Sequence, residues 1–201
     1  MLRTWPKQTF IAALPLVLLE EHRGTVEPLL AQCVLRGVWA EVNGWGEWHL
    51  AKRAGAKFIG GPGMGILNGL AGRELGRLGF LEATASLEAD EQQLSSLLAA
   101  CPLPCSVVVF GRPALMTTRV DMAPDQVAGI LEDRREVRLR ARRERGLWQL
   151  RPLKPFDLRR KQLPKGAAHL MVDLIGSPDP IRDWEAAAGE SASFNFDRTL
   201  T

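Results

Sequence analysis

The chain is 201 residues long, 46% hydrophobic and 24% charged, with a formal charge of +3 and three cysteines. These values exclude long disorder, collagen-like or coiled-coil architecture and a disulfide framework. They fit one domain, or a domain with an appendage, that buries roughly 70% of its unfolded surface. An odd cysteine count in a chain of this size points to a reducing, cytoplasmic setting, and the mild net charge does not by itself imply nucleic-acid binding.

Phe10 to Leu19 is the longest apolar run, with Arg3 and Lys7 ahead of it in the manner of a signal peptide. It is too short to span a bilayer, and Pro15 interrupts it. Glu20, Glu21, His22 and Arg23 stand where a cleavage site would be needed. The run reads instead as a buried parallel strand over Thr9 to Leu14 with a loop behind it, because strands covered on both faces are continuously apolar. No membrane association is expected.

Thr25 to Arg36 carries Val26, Leu29, Leu30, Cys33 and Val34 at helical spacing, with Gly37 as its stop. Val38 to Val42 predicts a strand, Glu47 to Ala54 a helix ended by Gly55, and Lys57 to Ile59 a further strand. Asn68 can cap a helix bearing Leu70, Ala71, Leu75 and Leu78 before Gly79; Phe80 to Ala85 is again extended. Asp90 and Gln93 form a capping box for a helix with Leu94, Leu97, Leu98 and Cys101 on one face, closed by Pro102 and Pro104. Ser106 to Phe110 is the next strand. Strands alternating with helices at this pitch mean βαβ units and a parallel sheet, closing naturally as a barrel. About five such units are present, fewer than the roughly 250 residues of a full (β/α)8 barrel supply.

Past Met116 the pattern changes. From Arg134 to Lys161 there are twelve Lys or Arg residues against Glu136, Glu144 and Asp157. The alternation in Val137-Arg138-Leu139-Arg140, with Gly146 ahead of Leu147-Trp148-Gln149-Leu150, predicts a β-hairpin with charged edges. Ala167 to Leu174 reads as a last strand, Gly176 to Pro180 as turn-rich, and Ala186 to Thr201 as a loop or frayed end. The expected architecture is α/β: a partial or complete TIM-like (β/α) barrel with parallel strands over residues 1–120, plus a basic β-hairpin extension, final strand and irregular tail over 121–201.

In parallel α/β folds the working residues sit at the carboxyl ends of strands. Those ends hold Asn43; the run Gly60 to Gly65 and then Asn68; Ser86 and Glu88; Gly111 and Arg112; and Asp173. Carboxylates and a guanidinium there suit acid–base chemistry and anion binding. Each has a plainer reading too. Glu88 favours the start of the next helix through its dipole, and Arg112 pairs with a structural carboxylate. The glycine run is either a phosphate cradle or a tight turn; Pro62 removes a donor and no G-x-x-x-x-G-K-[ST] is present. Cys101 and Cys105 lack a second pair for zinc, and His22, His49 and His169 are isolated, so no metal is expected. The basic segment 134–161 is either a solvated hairpin or a surface for RNA or another polyanion, with Trp148 and Phe156 available for stacking.

Leu67-Asn68-Gly69 followed by a helix and Leu78-Gly79-Phe80, then Ala85-Ser86-Leu87-Glu88, then the run from Val107 through Gly111-Arg112-Pro113 to Met116, resembles the second half of the collagenase-like peptidases, peptidase family U thirty-two. Leu150-Arg151-Pro152 and Met171-Val172-Asp173-Leu174 are also similar to the segment beyond the barrel in that family. The resemblance covers roughly residues 9 to 175, by order and spacing rather than by one decisive motif. It implies a TIM-like barrel and a peptidase of unassigned catalytic type; some relatives are iron–sulfur proteins supporting oxygen-independent hydroxylation of a quinone precursor or of ribosomal RNA. By analogy Asn68, Ser86, Glu88, Gly111 and Arg112 face the site. Where cluster-bearing members place cysteines, this chain has Ala114, Thr117, Thr118, Arg119 and Asp121, so no cluster is expected. The family's opening strands have no counterpart, which predicts exposed barrel edges covered by a partner chain or by self-association, or a truncated coding sequence.

The leading expectation is therefore a peptidase-like hydrolase acting on a peptide or protein without a cofactor, whose activity as an isolated, truncated chain is left open. In it Glu88 is the catalytic base or ligand, and Asn68, Ser86 and Arg112 bind substrate. The alternative is a non-catalytic or accessory protein of the RNA or quinone hydroxylation type, binding RNA or another polyanion through the basic segment. A structural remnant with neither role is the third reading.

Overall fold

The computed structural model describes residues 10–121, 129–132, 138–159, 161–175 and 177–185. Readings that fall on Arg3, Lys7, Thr9, Arg134, Val137, Gly176 and the tail from Ala186 lie outside the described residues. The chain divides into two compact units. The first comprises the described residues through Val107 together with Pro164–His169, and the second comprises Val108–Leu163 and the described residues from Leu170 on.

In the first unit β1 (Ile11–Ala13), β2 (Trp39–Val42), β3 (Phe58–Gly60), β4 (Ala83–Thr84) and the start of β5 (Cys105–Gly111) lie side by side in sequence order, all parallel. The sheet is curled into a half-barrel, compatible with part of a TIM-like barrel. A helix follows each of the first four strands: α1 (Arg23–Arg36), α2 (Trp45–Ala54), α3 (Gly69–Leu78) and α4 (Glu91–Ala100). The first three end on Gly37, Gly55 and Gly79, whose N–H groups return to carbonyls of the last turn. Asp90 Oδ1 accepts from Gln93 N at 2.7 Å and Gln93 Oε1 from Asp90 N at 3.1 Å, so the capping box at α4 is complete, a device worth about 1 kcal/mol.

The helix faces are narrower than the sequence spacing predicts. On α1 only Val26, Leu30 and Cys33 are buried, while Leu29 and Val34 remain 42% and 45% exposed. On α3 the buried positions are Gly69, Gly72 and Leu75, and Leu70 is turned outward. The cause is close packing of α3 on the end of α4: a Cβ at Gly69 would lie 2.6 Å from that of Ala100, and one at Gly72 would press on the Cys101 sulfur. Glycines make the contact, so the leucine beside them faces out.

In the second unit β6 (Met116–Thr118), β7 (Ile130–Glu132), β8 (Arg138–Glu144) and β9 (Leu147–Pro152) form an antiparallel sheet in the order β6-β9-β8-β7. β8 and β9 meet at Arg145 and Gly146, both with positive φ (48° and 77°), as a two-residue type I′ turn requires. They are the two central strands, so their arginines do not serve as edge protection, the role that a hairpin with charged edges would give them. β10 (Phe156–Asp157) pairs antiparallel with Gly111 and Phe110 of β5, β11 (His169–Asp173) also pairs with β5, and α5 (Pro180–Glu185) comes last. Arg159 stacks on both Phe110 and Trp184, with centroid distances of 4.4 and 4.9 Å, and its Nη2 donates to Asp157 Oδ2 at 2.8 Å. These contacts hold α5 to the β5–β10 ribbon. Among the described residues no helix is long and apolar enough to cross a membrane.

Candidate functional site

At the carboxyl ends of the first unit's strands, Asn43 joins three loops. Its Nδ2 donates to the Leu14 carbonyl at 3.3 Å and to Glu41 Oε1 at 3.2 Å, and its Oδ1 accepts from Gly63 N at 3.0 Å. The glycine run packs against this side chain. Gly60, Gly61, Met64 and Gly65 donate their N–H groups to the carbonyls of Glu82, Val42, Gly61 and Pro62. With Gly63 N taken by Asn43 and Pro62 lacking a donor, the run is a tight turn and offers no cradle for phosphate.

Asn68, Ser86 and Glu88 all stand at this end of the first unit, where Ile66 bridges to Ala85. Asn68 accepts from Ala71 N at 2.9 Å as the cap of α3. Ser86 donates its N–H to the Ile66 carbonyl, and its Oγ accepts from Glu88 N at 3.2 Å. Two of the three side chains thus close local turns, and the Glu88 carboxylate is exposed. Arg112 belongs to the second unit.

By spacing Glu47 is no more than the start of a helix, yet it is 1% exposed. Its carboxylate accepts from Asn43 N at 2.9 Å and from Gly44 N, closing the first turn of α2. Burial pushes this carboxyl above its ordinary value, and those two N–H groups offset the effect only in part. A folded-state pKa above the unfolded one means that the folded chain binds the proton more tightly. The contribution of this carboxyl to stability is then greatest below the unfolded value, about 4.3, and declines as pH rises toward the raised one. Glu47→Gln keeps a carbonyl acceptor for the turn without a buried charge. It is expected to raise stability at neutral pH by on the order of 1 kcal/mol and to flatten the decline. Urea unfolding of both proteins across pH checks this; a loss of stability at neutral pH would show that the charge itself holds the turn.

Pleating and register place Glu41, Ile59, Thr84 and Ser106 on one side of the parallel sheet, away from Ala40, Val42, Ala83 and Cys105. Glu82 shares that polar side: its Oε1 accepts from the Ser106 hydroxyl, and its Oε2 lies 3.4 Å from His169 Nε2. Thr84 Oγ1 is buried there with no hydrogen-bond partner. The carboxylate stands between serine and histidine, an order unlike that of a nucleophilic triad, in which the histidine is central. Burial pushes the Cys105 thiol up to about 12, so it is no thiolate at neutral pH. Among the described residues no three His, Cys, Asp or Glu side chains are grouped to hold a metal ion.

In the second unit Arg112 is engaged on all sides. Its Nε donates to the Leu153 carbonyl at 2.9 Å, and its two Nη atoms fork onto Asp183, whose carboxylate also accepts from Ser177 Oγ. The guanidinium holds the Asp183 carboxyl below the usual range. Beside this pair lies a group of arginines. Arg140 sits opposite Arg151 and Arg142 opposite Gln149, which puts all four side chains on one face of the β8–β9 pair. Arg138 on the same face stands opposite Glu132 of β7. Arg151 is oriented by neutral acceptors, Gln149 Oε1 and the Arg112 carbonyl, the latter at 2.6 Å. Among the described residues no carboxylate pairs with Arg140 or Arg142, and both are exposed. Trp148 points to the other face, beside Arg143, and Phe156 is buried, so neither offers a stacking platform on the arginine face.

No family model, curated protein or solved structure matches the chain. Like charges directly across an antiparallel pair destabilise it, by roughly 0.2–1 kcal/mol. The Arg140–Arg151 apposition in the middle of a sheet is such a cost, and an anion laid across both guanidinium groups would turn it into a gain.

Proposed function

We propose that the chain is a non-catalytic or accessory protein that binds a phosphate-bearing polyanion, RNA, through the arginine face of β8 and β9. The observation that carries this reading is the placement of Arg140, Arg142 and Arg151 side by side on central strands without a carboxylate partner among the described residues. With no aromatic ring on that face among the described residues, binding rests on phosphate contacts and releases counterions. For three neutralised phosphates on a single strand, log affinity is expected to fall with log salt at a slope of about −2. Anisotropy of a labelled RNA oligonucleotide over a salt series reads it; a flat line, or no binding at low salt, overturns the reading. The three free cysteines support a reducing, cytoplasmic setting. The outer edge of β1, flanked by exposed Phe10, Ile11, Leu16 and Val17, supports a covering partner chain or a second copy.

A second reading, the collagenase-like peptidase, is favoured by the polar side of the half-barrel. There Glu82 contacts both Ser106 and His169 beside the orphaned Thr84 hydroxyl, and Glu88 follows the end of β4. In it Glu88 is the general base, and Asn68 and Ser86 contact the substrate. Cleavage of gelatin-type substrates is expected to lack the steep salt dependence and to drop at least about a hundredfold in Glu88→Gln. No cleavage by the wild type, or full cleavage by the variant, removes it.

A further inference from the structure

The arginine face carries a cleft of about 340 Å³, near the lower end of the range that holds small ligands, roughly 300–1,000 Å³. Arg140, Arg142, Arg151 and Glu144 line it from the sheet, and Ile175 and Pro178 line it from the segment ahead of α5. Arg112 and Ser177 also border it, but both are engaged by Asp183, which cancels the Arg112 charge. The remaining charges are three guanidinium groups and one carboxylate, Glu144, for a net +2. A phosphodiester inside a nucleic-acid chain carries a single negative charge. A phosphate monoester carries about −1.5 to −2 at neutral pH and presents three acceptor oxygens.

The space is too small for a duplex and is charged unevenly. Glu144 repels an anion from one end and offers an acceptor to a hydroxyl or amine, and the apolar side chains of Ile175 and Pro178 suit the face of a sugar or base. Arg151 is already oriented by Gln149 and the Arg112 carbonyl, so part of the ordering cost of binding is met before a ligand arrives. We propose that this cleft takes a phosphate monoester, the terminal phosphate of a nucleotide or of an RNA chain, in preference to the internal phosphodiester. The inference rests on the polyanion reading of the same face and assigns the chemical group that the face selects.

The test compares two RNA oligonucleotides of one sequence, labelled at the 3′ end, one with a 5′-phosphate and one with a 5′-hydroxyl, on the full chain at fixed salt. The phosphorylated strand is expected to bind about tenfold more tightly, the gain of one charge-assisted contact. That difference should vanish in Arg140→Gln/Arg142→Gln. The comparison of the two strands needs no variant, so it holds even if a substitution perturbs the sheet. Equal affinity for the two strands overturns the inference while leaving the polyanion reading in place; binding of neither overturns the reading itself. Adding a nucleoside monophosphate, with its unphosphorylated nucleoside as control, separates the sources. Displacement by the monophosphate alone supports a free nucleotide as ligand; no displacement, with the 5′-phosphate preference intact, supports an RNA end.

Discussion

Arg140→Gln/Arg142→Gln is expected to weaken RNA binding about ten- to a hundredfold near 0.1 M salt and to make the salt slope shallower by about 1.4, two single-strand phosphate contacts at about 0.7 each. The two side chains alternate with Leu139, Ala141 and Arg143 along β8, so the substitution removes two charges from one face and leaves the other as it was. Fold stability should stay level or rise by a few tenths of a kcal/mol, because the like-charge apposition of Arg140 and Arg151 is relieved. Arg143→Gln is the control. It carries the same kind of charge change on the opposite face beside Trp148 and is expected to leave the slope unchanged. If Arg143→Gln lowered affinity and slope as much as the pair does per charge removed, binding would depend on net charge alone and the arginine face would have no special role.

Gly61→Ala is expected to cost about 3 kcal/mol in urea unfolding of the first unit, close to the upper end for added volume in a packed site. A Cβ at Gly61 would come within 2.6 Å of Glu41 Oε1 and closer still to Asn43 Oδ1. Asn43 cannot yield cheaply, since it is 6% exposed and bound at once to Leu14, Glu41 and Gly63. Gly24→Ala makes the contrast. That position, in the first turn of α1, has nothing within 4 Å of the added carbon and an ordinary helical φ. Its loss of unfolded-state freedom should add about 0.5 kcal/mol of stability. A Gly61→Ala protein as stable as the wild type would mean that the Asn43 loops are loosely held and that the half-barrel's carboxyl end is not built around them.

Where local chemistry decides the structure, the sequence is legible. The Asp90–Gln93 box opens α4, the glycines end α1 to α3, and the alternation of apolar runs with helical stripes foretells the parallel sheet. Where a tertiary neighbour decides it, the sequence is silent. Leu29, Val34 and Leu70 look like core by spacing but remain exposed on the outer side of their helices. β6, β7 and β10 are two or three residues long, too short for a period of two to register, and α5 starts at Pro180, where composition suggests only a turn. The same division runs through the candidate sites. Position at a strand end picks out Asn68, Ser86 and Glu88, but not that capping and turn closure occupy the first two. Glu82 and His169 meet only because β11 returns beside β5, a pairing that no local pattern encodes. The basic segment is visible as composition; its concentration on one face needs the strand register.

That register is fixed far from the guanidinium groups, by two residues. Arg145 occupies a left-handed conformation that a side chain adopts at a cost of roughly 1 kcal/mol, and Gly146 continues it freely. An insertion at this corner that slid β8 by one place against β9 would carry Arg140 and Arg142 to the side now held by Leu139 and Ala141. The proposed anion binding would thus be lost to an insertion that touches no arginine, and the length of a hairpin corner would matter to it as much as the arginines themselves.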